Sequence, residues 1–210
     1  MTIEATKCVA GAGDVLDFWF ADAANGPEAL ARRNRAWFRG SAPFDGECTA
    51  HFTATLEAAM SGELEHWKES PHGRLALIIL LDQLSRNIYR GTAAAFQQDD
   101  QALAACKEGI EQGHDAQLSP IERSFFYMPL EHAEDREVQA LSVRLFESLA
   151  KGSLEEWREQ LEASAGYARD HRDIVGKFGR FPHRNALLGR RSSPAEEAYL
   201  ADDAPRFGQQ

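Results

Sequence analysis

The sequence contains few cysteines, and none of them lie at a spacing that binds a metal or forms a compact disulfide framework. Its 210 residues include only Cys8, Cys48 and Cys106. Scattered free thiols exclude a cysteine zinc knuckle and fit a reducing cytoplasm. The histidines also lack the short spacings of a metal motif, so we expect no metal and no other cofactor.

Long hydrophobic runs are absent as well. The longest apolar run, Leu75 to Leu81, is too short to cross a bilayer, which requires about 20 residues. The N-terminus carries Glu4 and lacks the basic start and apolar stretch of a secretion signal. We therefore expect a cytoplasmic protein that does not interact with membranes.

Positive charge is scarce too. Lysine and arginine total 23 against 33 for aspartate and glutamate, so the net charge is −10. A negative chain repels nucleic acid and anionic membrane surfaces, and we expect neither as a partner. The exception is residues 169–191, where seven basic residues outweigh two acidic ones. This basic segment is either a counterion for acidic parts of the fold or part of an anion-binding site.

The alternation of apolar and polar residues that marks a β-strand is missing. Apolar residues instead recur at helical spacing along nearly the whole chain, which predicts an all-α fold of about nine to ten helices. Short links between consecutive helices predict antiparallel pairs. We expect one domain over residues 14–202, with flexible ends at residues 1–13 and 203–210.

Three serines predict the starts of helices. Ser119, Ser153 and Ser193 each stand three residues before a glutamate, the spacing at which the two side chains cap the first turn together. Proline follows Ser119 and Ser193 directly, and proline favours the first helical position. A further proline, Pro129, is expected to break the helix that contains the aromatic residues 125–127.

A buried helix with a polar end is the first candidate site. Residues 75–81 are apolar on every face, which indicates a helix surrounded by protein. Asp82, Arg86 and Arg90 follow at intervals of four and share one stripe of that helix. Buried charges need partners or a ligand, and we expect Asp82 to pair with an arginine.

A second candidate is the polar cluster next to Pro129. His132 and Glu134 suit a general acid and base, although the same residues also suit a structural network of ion pairs. Recognised catalytic motifs such as HExxH, GxSxG and the phosphate loop do not occur. Any catalysis would therefore depend on residues that no motif identifies.

A third candidate is a turn near the C-terminus. Gly179 is placed to end a helix, and Pro182 keeps the residue before it out of helical geometry. A rigid turn there would present the side chains of Arg180, His183 and Arg184. The histidine of the preceding helix, His171, lies on an apolar face, so we expect it to fill a core position.

Four segments of the chain are distinctive in combination. They are Val15 to Phe20, Leu75 to Arg90, Pro129 to His132 and Phe178 to Asn185. Over residues 14–202 the chain resembles domain-of-unknown-function family 924, which implies a bacterial protein with a tetratricopeptide-like, right-handed array of helix pairs and no established activity. Relatives commonly have proline where this chain has Ser85, and that difference predicts a straighter central helix.

Three hypotheses about function follow. The leading one is a pocket that binds a small anionic molecule or the carboxylate of a peptide, because arginine forks suit such groups. Its expected residues are Asp82, Arg86, Arg90, Arg180, His183 and Arg184. The second is a metal-independent hydrolase or transferase that uses His132 or His183 with Glu134. The third is a purely structural polar network.

Overall fold

A computed structural model describes residues 8–38 and 41–202 of the chain. Within these residues the structure consists of α-helices, one π-helical stretch, short 3-10 helices and connecting turns, with no strand. The prediction of an all-α fold is confirmed. Most of the predicted flexible ends, residues 1–7 and 203–210, lie outside the described residues.

Nine helices are present in the described part of the chain, counting the central one as a single element. They are α1 (Ala12–Phe20), α2 (Pro27–Phe38), α3 (Ala42–Met60), α4 (Pro71–Ile78, continued by Ile79–Leu84 and Ser85–Ile88), α5 (Asp99–Glu111), α6 (Pro120–His132), α7 (Arg136–Gly152), α8 (Glu155–Phe178) and α9 (Pro194–Ala201). None of the helices in the described ranges is long and apolar enough to cross a membrane.

Two of the three predicted serine caps are confirmed and one is wrong. Ser119 and Ser193 form capping boxes at the starts of α6 and α9. At the start of α8, however, the cap position belongs to Leu154, which makes no capping bond through its side chain. The Ser153 hydroxyl instead donates to the carbonyl oxygen of Leu149 at 2.7 Å. Because α7 ends only one residue before Ser153, the last turn of that helix captures the hydroxyl.

The central helix α4 is not a regular α-helix next to Ser85, and the straighter helix that this residue predicts stays a prediction. Residues Ile79–Leu84 are π-helical, and the Ser85 amide donates to the carbonyl oxygen of Leu80, five residues earlier. The Ser85 hydroxyl also donates to the carbonyl oxygen of Leu81 at 2.6 Å. Serine bonds of this kind compete with the regular helical ladder, so the helix widens here. The wide turn contains Asp82.

Helix α6 continues through Pro129, so the predicted break is wrong. The helix spans Pro120–His132 with the proline inside it. A proline removes one backbone hydrogen bond and crowds the preceding turn. Here the buried side chains of Phe125, Phe126 and Leu130 hold the helix in the core on both sides of the proline. Glu131 and His132 consequently occupy the last turn of α6 and do not begin a new helix.

Helix α4 is the centre of the core. All side chains of residues 75–81 are fully buried, and α1, α3, α5 and α6 contact this helix. Helices α7 and α8 pack along each other and against α6. This packing places the polar end of α4, the last turn of α6 and helix α8 around one space. The tetratricopeptide-like order of the pairs stays a prediction.

Candidate functional site

A cavity of about 690 Å³ lies among helices α2, α4, α6, α8 and the turn at residues 182–184. Its apolar side is lined by residues that include Leu30, Trp37, Phe125, Met128 and Phe146, and its polar end is lined by Arg86, Glu131, His132, His171, His183 and Arg184. Phe38 and Tyr167 also line it while about half of each side chain is exposed, 47% and 57% respectively. The cavity therefore opens to solvent between α2 and α8.

Asp82 is fully buried directly behind the polar end of the cavity. Its Oδ1 lies 3.2 Å from Arg86 Nη1 and 2.7 Å from His132 Nδ1, and its Oδ2 accepts from the Gln83 amide. Burial alone would raise the pKa of Asp82, but Arg86 and His132 hold it well below its ordinary value. The carboxyl is therefore ionised, and its expected pairing with an arginine is confirmed.

The carboxylate of Asp99, at the start of α5, joins two of the predicted arginines. Arg86 Nη2 donates to Asp99 Oδ2 at 3.0 Å, and Arg184 Nη1 donates to the same oxygen at 3.1 Å. The end of α4 and the C-terminal turn are thus brought together, as the distribution of positive charge suggested. Sequence reasoning missed Asp99 because an acid in the first turn of a helix is already explained by the helix dipole.

Arg184 is buried in unusual surroundings. Its guanidinium lies over two aromatic rings, 4.5 Å from the centroid of Phe181 and 4.8 Å from that of Phe96. Its Nη1 contacts Asp99, whereas its Nε is buried and has no hydrogen-bond partner within the described residues. Burial lowers the pKa of Arg184 to about 10, and the charge of Asp99 opposes that decrease. The side chain therefore remains a cation with an unused donor.

Glu131 and His171 form a second buried pair at the cavity wall. Glu131 Oε1 lies 3.2 Å from His171 Nδ1, which also lies 2.8 Å from the carbonyl oxygen of Tyr167. Burial raises the pKa of Glu131 to about 8, with a further increase from Asp82 and Asp170. Burial lowers the pKa of His171 well below its ordinary value. The expected core position of His171 is confirmed, but this residue also lines the cavity.

His132 contacts Asp82 through one ring nitrogen only. Because Nδ1 lies 2.7 Å from the Asp82 carboxylate, the imidazole retains Nε2 for another contact. Burial lowers the pKa of His132, Arg86 adds to the decrease and Asp82 opposes it. Glu131, His132 and His171 each offer one possible ligand atom, and these atoms lie within 4.8 Å of one another. Sequence spacing could not reveal this group, because His171 belongs to a different helix.

The other predicted histidine, His183, also lines the cavity. Its ring centroid lies 5.6 Å from that of Phe181. Burial lowers the pKa of His183 to about 3, and the positive charge of Arg184 adds to the decrease. Its imidazole is therefore neutral at physiological pH.

Two of the predicted arginines have other partners. Arg90 lines the cavity, but its Nε and Nη2 donate to the Asp45 carboxylate at 2.6 and 3.0 Å. Arg180 is not among the lining residues, and its guanidinium forms a double hydrogen bond with Glu196 at 2.7 and 2.8 Å. The structure thus brings Arg86, His183 and Arg184 together with Asp82 behind them, and places Arg180 elsewhere.

Glu134 holds the C-terminal turn in place. Its carboxylate accepts the amide of Phe181 at 2.7 Å and forms two hydrogen bonds with Arg190. The Gly179 backbone has a φ of 74°, as expected for the glycine that ends α8. These contacts set the direction of the turn that carries His183 and Arg184. The contact with His132 that the sequence suggested for Glu134 is made by Asp82.

Comparisons with known proteins agree with one another. A family model described as "Bacterial protein of unknown function (DUF924)" matches residues 15–204. The solved structure of a protein of unknown function from Agrobacterium tumefaciens, ATU0120, is 38% identical in sequence, with a TM-score of 0.76. That match covers 91% of this chain and 97% of the other. No curated protein matches the chain at a significant level.

Proposed function

The chain belongs to this family of bacterial proteins of unknown function, and we propose that its cavity binds a small molecule with a carboxylate at one end and an apolar remainder. The proposal rests on the position and contacts of the Arg184 guanidinium. It is buried at the cavity wall, and its Nε has no hydrogen-bond partner in the described structure. A buried donor without an acceptor costs about 1 to 3 kcal/mol. Because Nε has almost no accessible surface, a ligand oxygen would remove that cost once the neighbouring side chains shift to admit it.

The size and lining of the cavity support an organic ligand. A volume of about 690 Å³ lies within the range of small-molecule sites, roughly 300 to 1,000 Å³. Trp37, Phe125 and Phe146 line one side, where an apolar chain would be shielded from water. The polar groups are confined to the other end, so a bound molecule would have one defined orientation.

The charge balance explains why an apolar remainder is part of the proposal. The guanidiniums of Arg86 and Arg184 are already balanced by the carboxylates of Asp82 and Asp99. An inorganic anion would therefore gain little net electrostatic energy. Each buried methylene contributes about 0.8 kcal/mol, so four of them supply about 3 kcal/mol. Burial of the chain provides affinity, and the arginine selects the carboxylate.

A series of straight-chain carboxylic acids tests the proposal. We expect butanoate, hexanoate and octanoate to raise the melting temperature in that order, with about fourfold tighter binding for each added methylene. Hexanamide, which has the same shape without the charge, should stabilise the protein less than hexanoate. Inorganic phosphate should have the smallest effect of these compounds.

Arg184→Gln is the decisive variant, and Arg32→Gln is its matched control because Arg32 is an exposed arginine paired with Asp22. The first variant should remove the preference for hexanoate over hexanamide, and the second should retain it. The proposal fails if no alkanoate stabilises the wild-type protein, or if Arg184→Gln keeps the full preference.

A second candidate is an acid–base enzyme, and one specific contact favours it. Asp82 Oδ1 lies 2.7 Å from His132 Nδ1, an arrangement that orients an imidazole so that Nε2 can accept a proton. In this candidate the acid that contacts His132 is Asp82 and not the Glu134 expected from the sequence. It requires His132 Nε2 to stay free of other ligands.

The purely structural alternative uses the same ion pairs and no ligand. It differs from the binding proposal in its response to alkanoates. Arg184→Gln breaks the pair with Asp99 under either hypothesis and should destabilise the protein by about 3 to 5 kcal/mol, but under the structural one alkanoates would have no effect on the wild type or the variant.

A further inference from the structure

Two adjacent residues at the end of α6 and one residue of α8 bring three possible metal ligands together at the cavity wall. Glu131, His132 and His171 offer ligand atoms that lie within 4.8 Å of one another. His171 Nδ1 donates to the carbonyl oxygen of Tyr167 at 2.8 Å, so Nε2 is the atom of this imidazole that would bind a metal. Glu131 and His171 are buried at 5% and 4% exposure, so solvent does not readily compete for their donor atoms.

The chemistry of this group matches a transition-metal site. Two imidazoles and one carboxylate form a recognised ligand set for zinc, which leaves a fourth position for water or a bound molecule. Donor atoms around a tetrahedral zinc ion are about 3.3 Å apart, given metal–ligand distances of about 2.0 to 2.1 Å. Side-chain rotations that bring the ligand atoms closer by up to about 1.5 Å would therefore complete the geometry.

Asp82 provides the support that metal-binding histidines ordinarily have. Its Oδ1 lies 2.7 Å from His132 Nδ1, so the histidine is oriented with Nε2 as its remaining donor. Metal-ligating histidines almost always bond a carboxylate or carbonyl through the second nitrogen, and this contact fixes the tautomer. Asp82 is itself held in place by Arg86 and Gln83.

The buried carboxyl group of Glu131, which lines the cavity, has no guanidinium partner within the described residues. Asp82 and Asp99 are engaged by Arg86 and Arg184. Among the basic side chains of the described residues, the one within ion-pair distance of Glu131 is the imidazole of His171, whose pKa burial keeps low. A divalent cation between Glu131, His132 and His171 would stabilise the ionised form of this carboxyl group, which burial disfavours.

We infer that Glu131, His132 and His171 bind one divalent transition-metal ion, with Zn²⁺ as the best match, and that Asp82 positions His132 for this role. The fourth coordination position would belong to the cavity that all three residues line. This inference does not depend on the carboxylate-binding proposal, and it reverses the expectation from sequence spacing that no metal binds.

The test begins with wild-type protein that has been dialysed against a chelator and then against buffer at pH 7.5. Titration with Zn²⁺, followed by calorimetry, should show one ion per chain. Titration with Co²⁺ should produce the visible absorption of a four-coordinate ion with nitrogen and oxygen ligands. Absence of stoichiometric binding of both ions to the folded wild-type protein would overturn the inference, whatever the variants do.

Variants then assign the ligands. Glu131→Gln and His171→Gln should each weaken Co²⁺ binding by at least about 100-fold, and Asp82→Asn should weaken it by about 10- to 100-fold. His66→Gln, which changes an exposed histidine outside the cavity, is the control and should bind as the wild type does. If the Glu131 and His171 variants are folded and retain wild-type affinity, the ion binds elsewhere and the inference is wrong.

The same titration separates the metal site from the other proposals. A bound ion makes His132 a ligand, so it cannot serve as the free base of the acid–base candidate. Alkanoate binding is measured in the metal-free protein, where only the Arg184 proposal is tested. A negative result in the metal titration therefore does not contradict the carboxylate-binding proposal, and a negative result with alkanoates does not contradict the metal site.

Discussion

Asp99 and Arg184 are 85 residues apart in the chain, and their side chains meet at 3.1 Å. Asp99 opens α5, whereas Arg184 lies in the turn that follows α8. Because Asp99 also contacts Arg86, this one carboxylate connects three separate parts of the fold at the polar end of the cavity. The strongest test of this arrangement is removal of the shared acid.

We expect Asp99→Asn to destabilise the protein by about 3 kcal/mol, because it leaves two buried guanidiniums without their common counterion. Asp100→Asn is the matched control, since Asp100 lies in the same first turn of α5 and is exposed. Both changes remove one favourable interaction with the helix dipole, which is worth about 0.3 to 1 kcal/mol. Urea unfolding measures the difference, and equal effects of the two substitutions would contradict the shared-counterion role.

Asp82→Ala should also destabilise the protein strongly, by about 3 to 5 kcal/mol. The fully buried carboxylate neutralises part of the charge of Arg86 and accepts from His132, and its loss leaves both groups with an unmet interaction. Denaturant unfolding of the two proteins provides the measurement. A midpoint unchanged from that of the wild type would show that the pair contributes no net stability.

The pair of Arg180 and Glu196 should make stability depend on acid pH. The Arg180 guanidinium lowers the pKa of Glu196 to about 2, with smaller contributions from Ser193. A depressed pKa contributes stability that is fully present above the ordinary value of about 4.5 and is lost as pH falls towards 2.

The stability difference between the wild type and Arg180→Gln should therefore be largest above pH 5 and should shrink towards pH 2. Urea unfolding across this range measures it. The corresponding difference for Arg32→Gln, which disrupts an exposed pair with Asp22, should be small throughout. A constant difference between wild type and Arg180→Gln across the range would contradict the assignment.

Gly109 should be intolerant of a methyl group. A Cβ atom at this position would lie 2.4 Å from Arg74 Cδ and 2.5 Å from Phe126 Cζ, both closer than van der Waals contact. Gly109→Ala should therefore destabilise the protein by about 1 to 3 kcal/mol through overpacking. Gly176→Ala, in helix α8 with open space around the position, should instead stabilise it by about 0.4 to 1 kcal/mol. Thermal unfolding of both variants checks the opposite signs.

Several features of the fold follow from interactions within a few residues, and these were predictable. Ser119 and Ser193 begin helices because the cap and its glutamate lie three positions apart. Gly179 ends α8 in a left-handed conformation, and Pro182 shapes the turn beyond it. The apolar periodicity likewise predicted an all-α fold with a buried central helix. Each of these signals is local, so neighbouring side chains are sufficient to produce it.

Other features depend on which distant segments pack together. Ser153 resembles Ser119 in its sequence pattern, yet its hydroxyl bonds the preceding helix because the two helices turn back within two residues. Pro129 remains within a helix because core contacts on both sides outweigh the lost backbone bond. The sequence around each residue predicts a cap at Ser153 and a break at Pro129, so only the packing of distant segments explains why neither is observed.

The candidate site was predictable as a set of residue types but not as a set of contacts. Sequence spacing predicted that Asp82 pairs with an arginine on its own stripe of the helix, and the structure shows that this arginine is Arg86. The spacing could not show that Asp99 holds Arg184, or that His171 approaches Glu131 from another helix. Charge and periodicity along the chain determine which side chains are buried and which neighbours within one helix can pair. Pairs between distant segments depend on the relative positions of the helices. Those positions result from the packing of the whole core, which no short stretch of sequence contains.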